Sequence, residues 1–263
     1  MSMELLPNRD IEYADFKIIF RSYARGSQMP FHTDPAPRLS IVVFGELEEH
    51  TLQYSARAHP FSVVAKPEGI THRNRFGSRG ARLVSIVFEE ETFLPLAEAA
   101  GLPAWQWFHS WEAARESVQL LIAINNEADE KEVKEKTIQL MASLLPERPV
   151  KQKTPPLWLQ YIAERVEENC HENLLVQGLA EEAGVHPVYL ARAFRKHYGC
   201  SVKEYQHRQR LQRSLNHLAS QEASLSHLAY DFGYADQAHF SRTFKREAGL
   251  SPGQFRELLR KIN

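Results

Sequence analysis

Two stretches of the chain repeat one pattern, and the repeat limits what the C-terminal half can fold into. LARAFRKHYGCSVKEY begins at Leu190 and FSRTFKREAGLSPGQF at Phe240. Aligned, they pair Leu190 with Phe240, Arg192 with Arg242, Phe194 with Phe244, Lys196 with Arg246, Gly199 with Gly249, Ser201 with Ser251 and Tyr205 with Phe255, a period of roughly fifty residues. The correspondence extends upstream, where LAEEAGV from Leu179 matches LAYDFGY from Leu228. Each copy reads as helix, Gly-containing turn, helix, the outline of a helix-turn-helix unit.

Helical spacing divides each copy into two faces. Leu190, Ala193 and Phe194 share one face, expected to pack on Leu179 and Ala180, while Tyr189, Arg192, Arg195 and Lys196 are the candidates for the outer face. In the second copy Phe240 and Phe244 are the packing residues, and Gln237, Ser241, Arg242 and Lys245 form the opposite stripe. Arg can bond guanine O6 and N7 together and Gln can do the same to adenine, whereas Lys and Ser more often hold phosphates. One exposed Arg is ordinarily a solvated charge. Recurrence of Arg192 and Arg242 at the same place in two units is what argues for DNA contact. Between the copies, VKEYQHRQRLQRSLNHL from Val202 predicts one continuous helix, a spacer whose basic side carries Lys203, Arg208, Arg210 and Arg213. About 16 residues span roughly 24 Å, which with the width of each unit approaches the ~34 Å pitch of B-DNA.

At 263 residues and a formal charge of -1 the chain has room for two domains but is not a globally basic nucleic-acid coat, so any DNA contact must be local. Cys170 and Cys200 are too few for a zinc cluster or a disulfide framework and are expected to be small buried residues in a reducing compartment. The N-terminal MSMELLPNRDIEY lacks the apolar run of a signal peptide, so a cytoplasmic protein with no membrane partner is expected.

The N-terminal half is of another kind. FKIIF from Phe16, LSIVVF from Leu39, FSVVA from Phe61 and LVSIVF from Leu83 predict β-strands in a barrel or sandwich. After Glu91 the pattern becomes helical, with Trp111, Val118, Leu121 and Ile122 on one face and Val133, Leu140, Met141 and Leu144 on another, an αα-hairpin. ERPVKQKTPP, residues 147–156, has no apolar period and three prolines, which marks a linker. The expected organisation is 1–146, a linker at 147–156, and 157–263.

PEGITHRNRF from Pro67 resembles the second sequence box of the cupin fold. Where a first box would stand the chain has His32, Asp34 and Glu46 in place of paired histidines and a spaced glutamate. His32, Asp34, Glu46 and His72 are therefore the candidate effector-binding residues. With a carboxylate, the two histidines could form a facial metal triad or line a polar pocket; no metal and no cofactor is assigned. Arg38, Arg75 and Arg82 would favour an anionic effector. Trp105, Trp107 and Trp111 are read as packing of the helices on the sheet.

SLSHLAYDFGYADQAHFSRTFKREAGLSPGQFR, from Ser224 to Arg256, resembles the signature of AraC/XylS-type transcription regulators, and the likeness covers roughly the last hundred residues. It implies an α+β multidomain chain: an N-terminal cupin-like β-barrel with a helical hairpin, and a C-terminal all-α domain of two helix-turn-helix units joined by a linker helix. The implied partners are double-stranded promoter DNA, a small-molecule effector in the barrel and RNA polymerase. The apolar faces of the hairpin from Trp111 to Leu145 are longer than a small barrel alone must cover, which suggests the seam of a homodimer. Carried over by position, the readers are Val188, Ala191, Arg192 and Arg195 in the first recognition helix and Gln237, Ala238, Ser241 and Arg242 in the second. Val188, Ala191 and Ala238 are apolar here, which leaves Arg192 as the main base reader of the first helix. The competing expectation is a cupin-type metal enzyme with a helical appendage; the incomplete metal box and the doubled C-terminal unit favour a regulator that is not an enzyme.

Overall fold

The structure, a computed structural model, describes residues 8–89, 105–144, 155–220 and 224–262. Most of the expected linker therefore lies outside the described residues.

The N-terminal part is an antiparallel sheet of β1 (Arg9–Glu12), β2 (Phe16–Tyr23), β3 (Gln28–Thr33), β4 (Arg38–Thr51), β5 (Ser55–Ala58), β6 (Val63–Lys66), β7 (Thr71–Phe88) and β8 (Gln106–Phe108). Its path runs β1-β2-β7-β4-β6-β8, with β3 added on β7 and β5 on β4. The four predicted apolar runs contribute to β2, β4, β6 and β7. LSIVVF is unbroken because β4 is buried on both faces: Leu39, Ile41 and Val43 pack with Val84, Ile86 and the following helix, whereas Val42 and Leu47 pack with Val64, Phe76 and Trp107 on the other side. QMPFHT carries no such pattern, and its proline fits only an edge strand, so β3 was not predicted.

The expected αα-hairpin is α1 (Trp111–Asn125) and α2 (Glu130–Ser143). Ser110 and Asp129 accept hydrogen bonds from the backbone N–H groups of Ala113 and Glu132, satisfying donors that a helix start leaves unpaired.

The C-terminal part is helical. A first unit comprises α3 (Leu157–Glu168), α4 (Val176–Glu182) and α5 (Pro187–Tyr198). A long linker helix, α6 (Val202–Ser220), follows. The second unit comprises α7 (Leu225–Asp231), α8 (Gln237–Ala248) and α9 (Pro252–Ile262). Both α5 and α8 end on a left-handed glycine, Gly199 (φ 72°) and Gly249 (φ 84°), which explains why this residue is repeated.

The two units differ in what covers them. The first has its own small core, in which Leu190 and Phe194 meet Leu179 and Ala180 as expected, together with Leu159, Ile162 and Val166. The second shares one continuous core with the sheet and the hairpin. Phe255 bridges them, its ring 5.7 Å from Phe244 and 5.3 Å from Phe61. Phe61 is fully buried at a positive φ of 63°, a conformation costing about 1–2 kcal/mol that surrounding packing has to offset. At the helix ends, Gln119 Nε2 donates to Ala248 O at 2.7 Å, and Arg208 meets Glu112 at 2.7 Å. The long apolar face of α1, which suggested a dimer seam, is thus occupied by the chain's own second unit; its length no longer argues for a second copy. Cys170 and Cys200 are buried thiols, as expected. Among the described residues no helix is long and apolar enough to cross a membrane.

Candidate nucleic-acid interface

Each of the repeated helices α5 and α8 is started by a side chain. His186 Nδ1 accepts from Val188 N at 3.3 Å ahead of Pro187, and Asp236 Oδ1 accepts from His239 N at 2.6 Å. These caps fix where α5 and α8 begin and hence which residues face outward. On α5, Tyr189, Arg192, Arg195 and Lys196 are exposed over buried Leu190 and Phe194. On α8, Gln237, Arg242 and Lys245 are exposed and Ser241 is half-buried over buried Phe240 and Phe244. Every candidate DNA contact therefore lies off the packing face, in two stripes of the same design. Val188, 52% exposed, adds an apolar surface suited to a thymine methyl. Tyr189 is steadied by Trp158, with ring centroids 5.6 Å apart. Ser226 Oγ donates to Gln237 Oε1 at 2.6 Å, a support on α7 that periodicity does not reveal.

The linker helix departs from expectation. Its cations do not form a free basic side: Arg208 is paired with Glu112, and Arg210 and Arg213 donate to backbone carbonyls of the first unit. The dipeptide pattern of a basic helix does not distinguish a phosphate-facing cation from one that caps a neighbouring turn.

Residues 179–258 match the family described as a helix-turn-helix domain. Regulatory protein SoxS of Salmonella typhimurium is 31% identical over 101 residues, which cover 38% of this chain and 94% of SoxS. The chain belongs to the AraC family of transcription regulators. The transcriptional activator RhaS of Escherichia fergusonii is 29% identical over 99 residues, which cover 38% of this chain and only 36% of RhaS. The solved structure of ToxT from Vibrio cholerae aligns over 93% of this chain and 98% of its own, at 13% identity and a TM-score of 0.39.

In the sheet of this AraC-family chain, His32, Asp34 and His72 come together, with ligand atoms within 4.8 Å of one another. Glu46 does not join them. It is exposed and lines a separate open crevice of about 510 Å³ with Gln28, Arg57 and Arg75. The glutamate linked to the cluster, through Lys66, is Glu49, 1% exposed, which accepts from Lys66 Nζ (2.5 Å) and Trp105 Nε1 (2.6 Å). Trp105 is thus more than packing. Lys66 also reaches His72 Nε2 at 3.2 Å, while His72 Nδ1 lies 2.9 Å from Ile70 O. A carbonyl only accepts, so Nδ1 carries the proton and Nε2 takes the ammonium hydrogen. Arg38 closes the other side with Asp34 at 3.1 Å. The ring nitrogen that a metal would need lies beside the Lys66 ammonium group, whose charge opposes a second cation at this place.

Burial, then the Lys66 charge, holds His72 below the ordinary imidazole pKa; burial also lowers His109 and His207. Below the ordinary value of 6.5 the unfolded chain takes up protons that these folded sites refuse, so their contribution is complete above pH 6.5 and declines as pH falls. The thermal midpoint should fall between about pH 7 and pH 5.5, above the range where carboxylates titrate, and His109→Gln should flatten part of that fall. An equal or higher midpoint at the lower pH would contradict this.

Proposed function

We propose that the chain reads promoter DNA with α5 and α8 together, using Arg192 and Arg242 as the base readers, Gln237 and Arg195 beside them, and Tyr189, Lys196, Ser241 and Lys245 for positioning on the backbone. The observation that carries this reading is the double stripe: two capped helices with arginine at the same place outside and phenylalanine at the same place inside. Residues 157–263 would be the DNA-binding domain, 147–156 the linker, and 1–146 a cupin-like sensor whose polar cluster of His32, Asp34 and His72, or the crevice holding Glu46, receives a small-molecule effector. Arg75 on the crevice favours an anionic one, whereas Lys66, Arg38 and Arg57 already hold Glu49, Asp34 and Glu48. RNA polymerase is the partner through which occupancy of a promoter would be felt, and a second copy of the chain would raise affinity by effective concentration.

The test is binding of the full chain to a duplex selected from random sequence, followed by anisotropy over a salt series. Phosphate contacts release counterions at about 0.9 per contact. Affinity should fall with a log–log slope steeper than about −3. A helical module that binds proteins instead would select no duplex and show no such slope. Sensor function is tested on the same complex by titrating small carboxylates and phosphates and asking which of them shift the affinity.

A further inference from the structure

A helix leaves its last carbonyls unpaired, and α3 ends at Glu168 in a turn, residues 169–172, that must find donors elsewhere. The linker helix supplies them. Arg210 Nε donates to Cys170 O, and its NH2 group donates to Glu172 O at 2.7 Å, with His171 O at 3.5 Å. Gln206 Nε2 donates to Cys170 O at 3.1 Å and Glu172 O at 2.6 Å, and Arg213 donates to Glu168 O at 3.2 Å. The remaining nitrogen of Arg210, NH1, points to the second unit and donates to Gly233 O at 3.2 Å, in the turn between α7 and α8. One guanidinium therefore holds the α3–α4 turn of the first unit and the α7–α8 turn of the second.

The two turns touch at this point. Gly233 has φ +69°, and a Cβ placed there would overlap the carbonyl of His171. Elsewhere the units are held through different parts of α6: Val202 and Tyr205 pack in the core of the first unit, Leu211, Leu215 and Leu218 in the core that the second shares with the sheet. Arg210 sits between the two sets. A guanidinium is suited to the task because its donors lie in one rigid plane at fixed angles, whereas an ammonium on a flexible stem fixes no direction.

We infer that Arg210 is a positioning residue that sets the angle between the two helix-turn-helix units, and through it the spacing of the two groove contacts. The inference rests on the reading that both units engage one duplex. A merely structural role would weaken all binding alike; a clamp weakens only binding that needs both units in register.

The experiment compares the full chain with Arg210→Lys, which keeps the charge and loses the fork, and Gly233→Ala, which pushes a methyl group into the His171 carbonyl. The probes are a selected duplex, the same duplex with 2 or 5 base pairs inserted between the two contacted grooves, and a duplex in which one groove site is scrambled. Wild type should prefer the native spacing. Both variants should lose about tenfold or more on the native duplex, as coupling between linked sites fails. They should bind the scrambled duplex as wild type does and discriminate less against the insertions. Unchanged affinity and spacing preference in Arg210→Lys, or an equal loss on every duplex, would overturn the clamp. Wild type that binds all spacings alike would remove the two-unit reading and the clamp with it.

Discussion

Replacing Arg192 and Arg242 together by alanine is expected to weaken binding to a selected duplex by about 2–6 kcal/mol, on the order of 30- to 20,000-fold. Each arginine contributes about 1–3 kcal/mol if it bonds a guanine edge in two places, and the two losses should add because the residues lie on different helices. Both side chains are exposed, above Phe194 and Phe244, so truncation removes no packing and the thermal midpoint should hardly move. The salt slope separates the roles further. Losing a base contact should leave the slope nearly as it was, whereas Lys245→Ala should reduce it by about one and weaken all sequences alike. Unchanged affinity in the double variant would show that α5 and α8 are not the reading elements, however closely they repeat.

The faces of these helices were legible because a period near 3.6 is written into the sequence twice and the glycines that end each helix recur with it. The polar cluster of the sheet was less legible, and Glu46 shows why. Strand alternation counted from Val42 puts Glu46 on the same face as Val42 and Glu49 on the other. The register of β4 against β7 shifts between Val42 and Phe44 and again between Gly45 and Leu47. A bulge changes which residues point inward. After it Leu47 and Glu49 face inward and Glu46 faces out. Lys66, similarly, ends an apolar run and reads as the start of a loop, although it is 5% exposed and bonded to Glu49. The cluster's remaining members came from local motifs, and their partners came from tertiary register that no local motif carries.

Phe194 and Phe244 illustrate the same limit with a larger energetic consequence. They occupy equal places in the repeat and both are fully buried, so either change to alanine should cost about 3–5 kcal/mol. What each loss destabilises should differ. Phe194 belongs to a core confined to α3, α4, α5 and the start of α6, so Phe194→Ala should open the first unit alone, raising amide exchange there and leaving the sheet protected. Phe244 belongs to the core that runs through Phe255 and Phe61 into β6 and α1, so Phe244→Ala should raise exchange in the second unit, the hairpin and the sheet together. Exchange confined to residues 224–262 in that variant would mean the interface transmits nothing. The shared core would give the proposed effector a physical route to α8: any shift of β6 or α1 must be accommodated at Phe255 and at the Gln119 bond to the last turn of the helix. The first unit, with its separate core, can follow only through the linker helix and the turn that Arg210 holds.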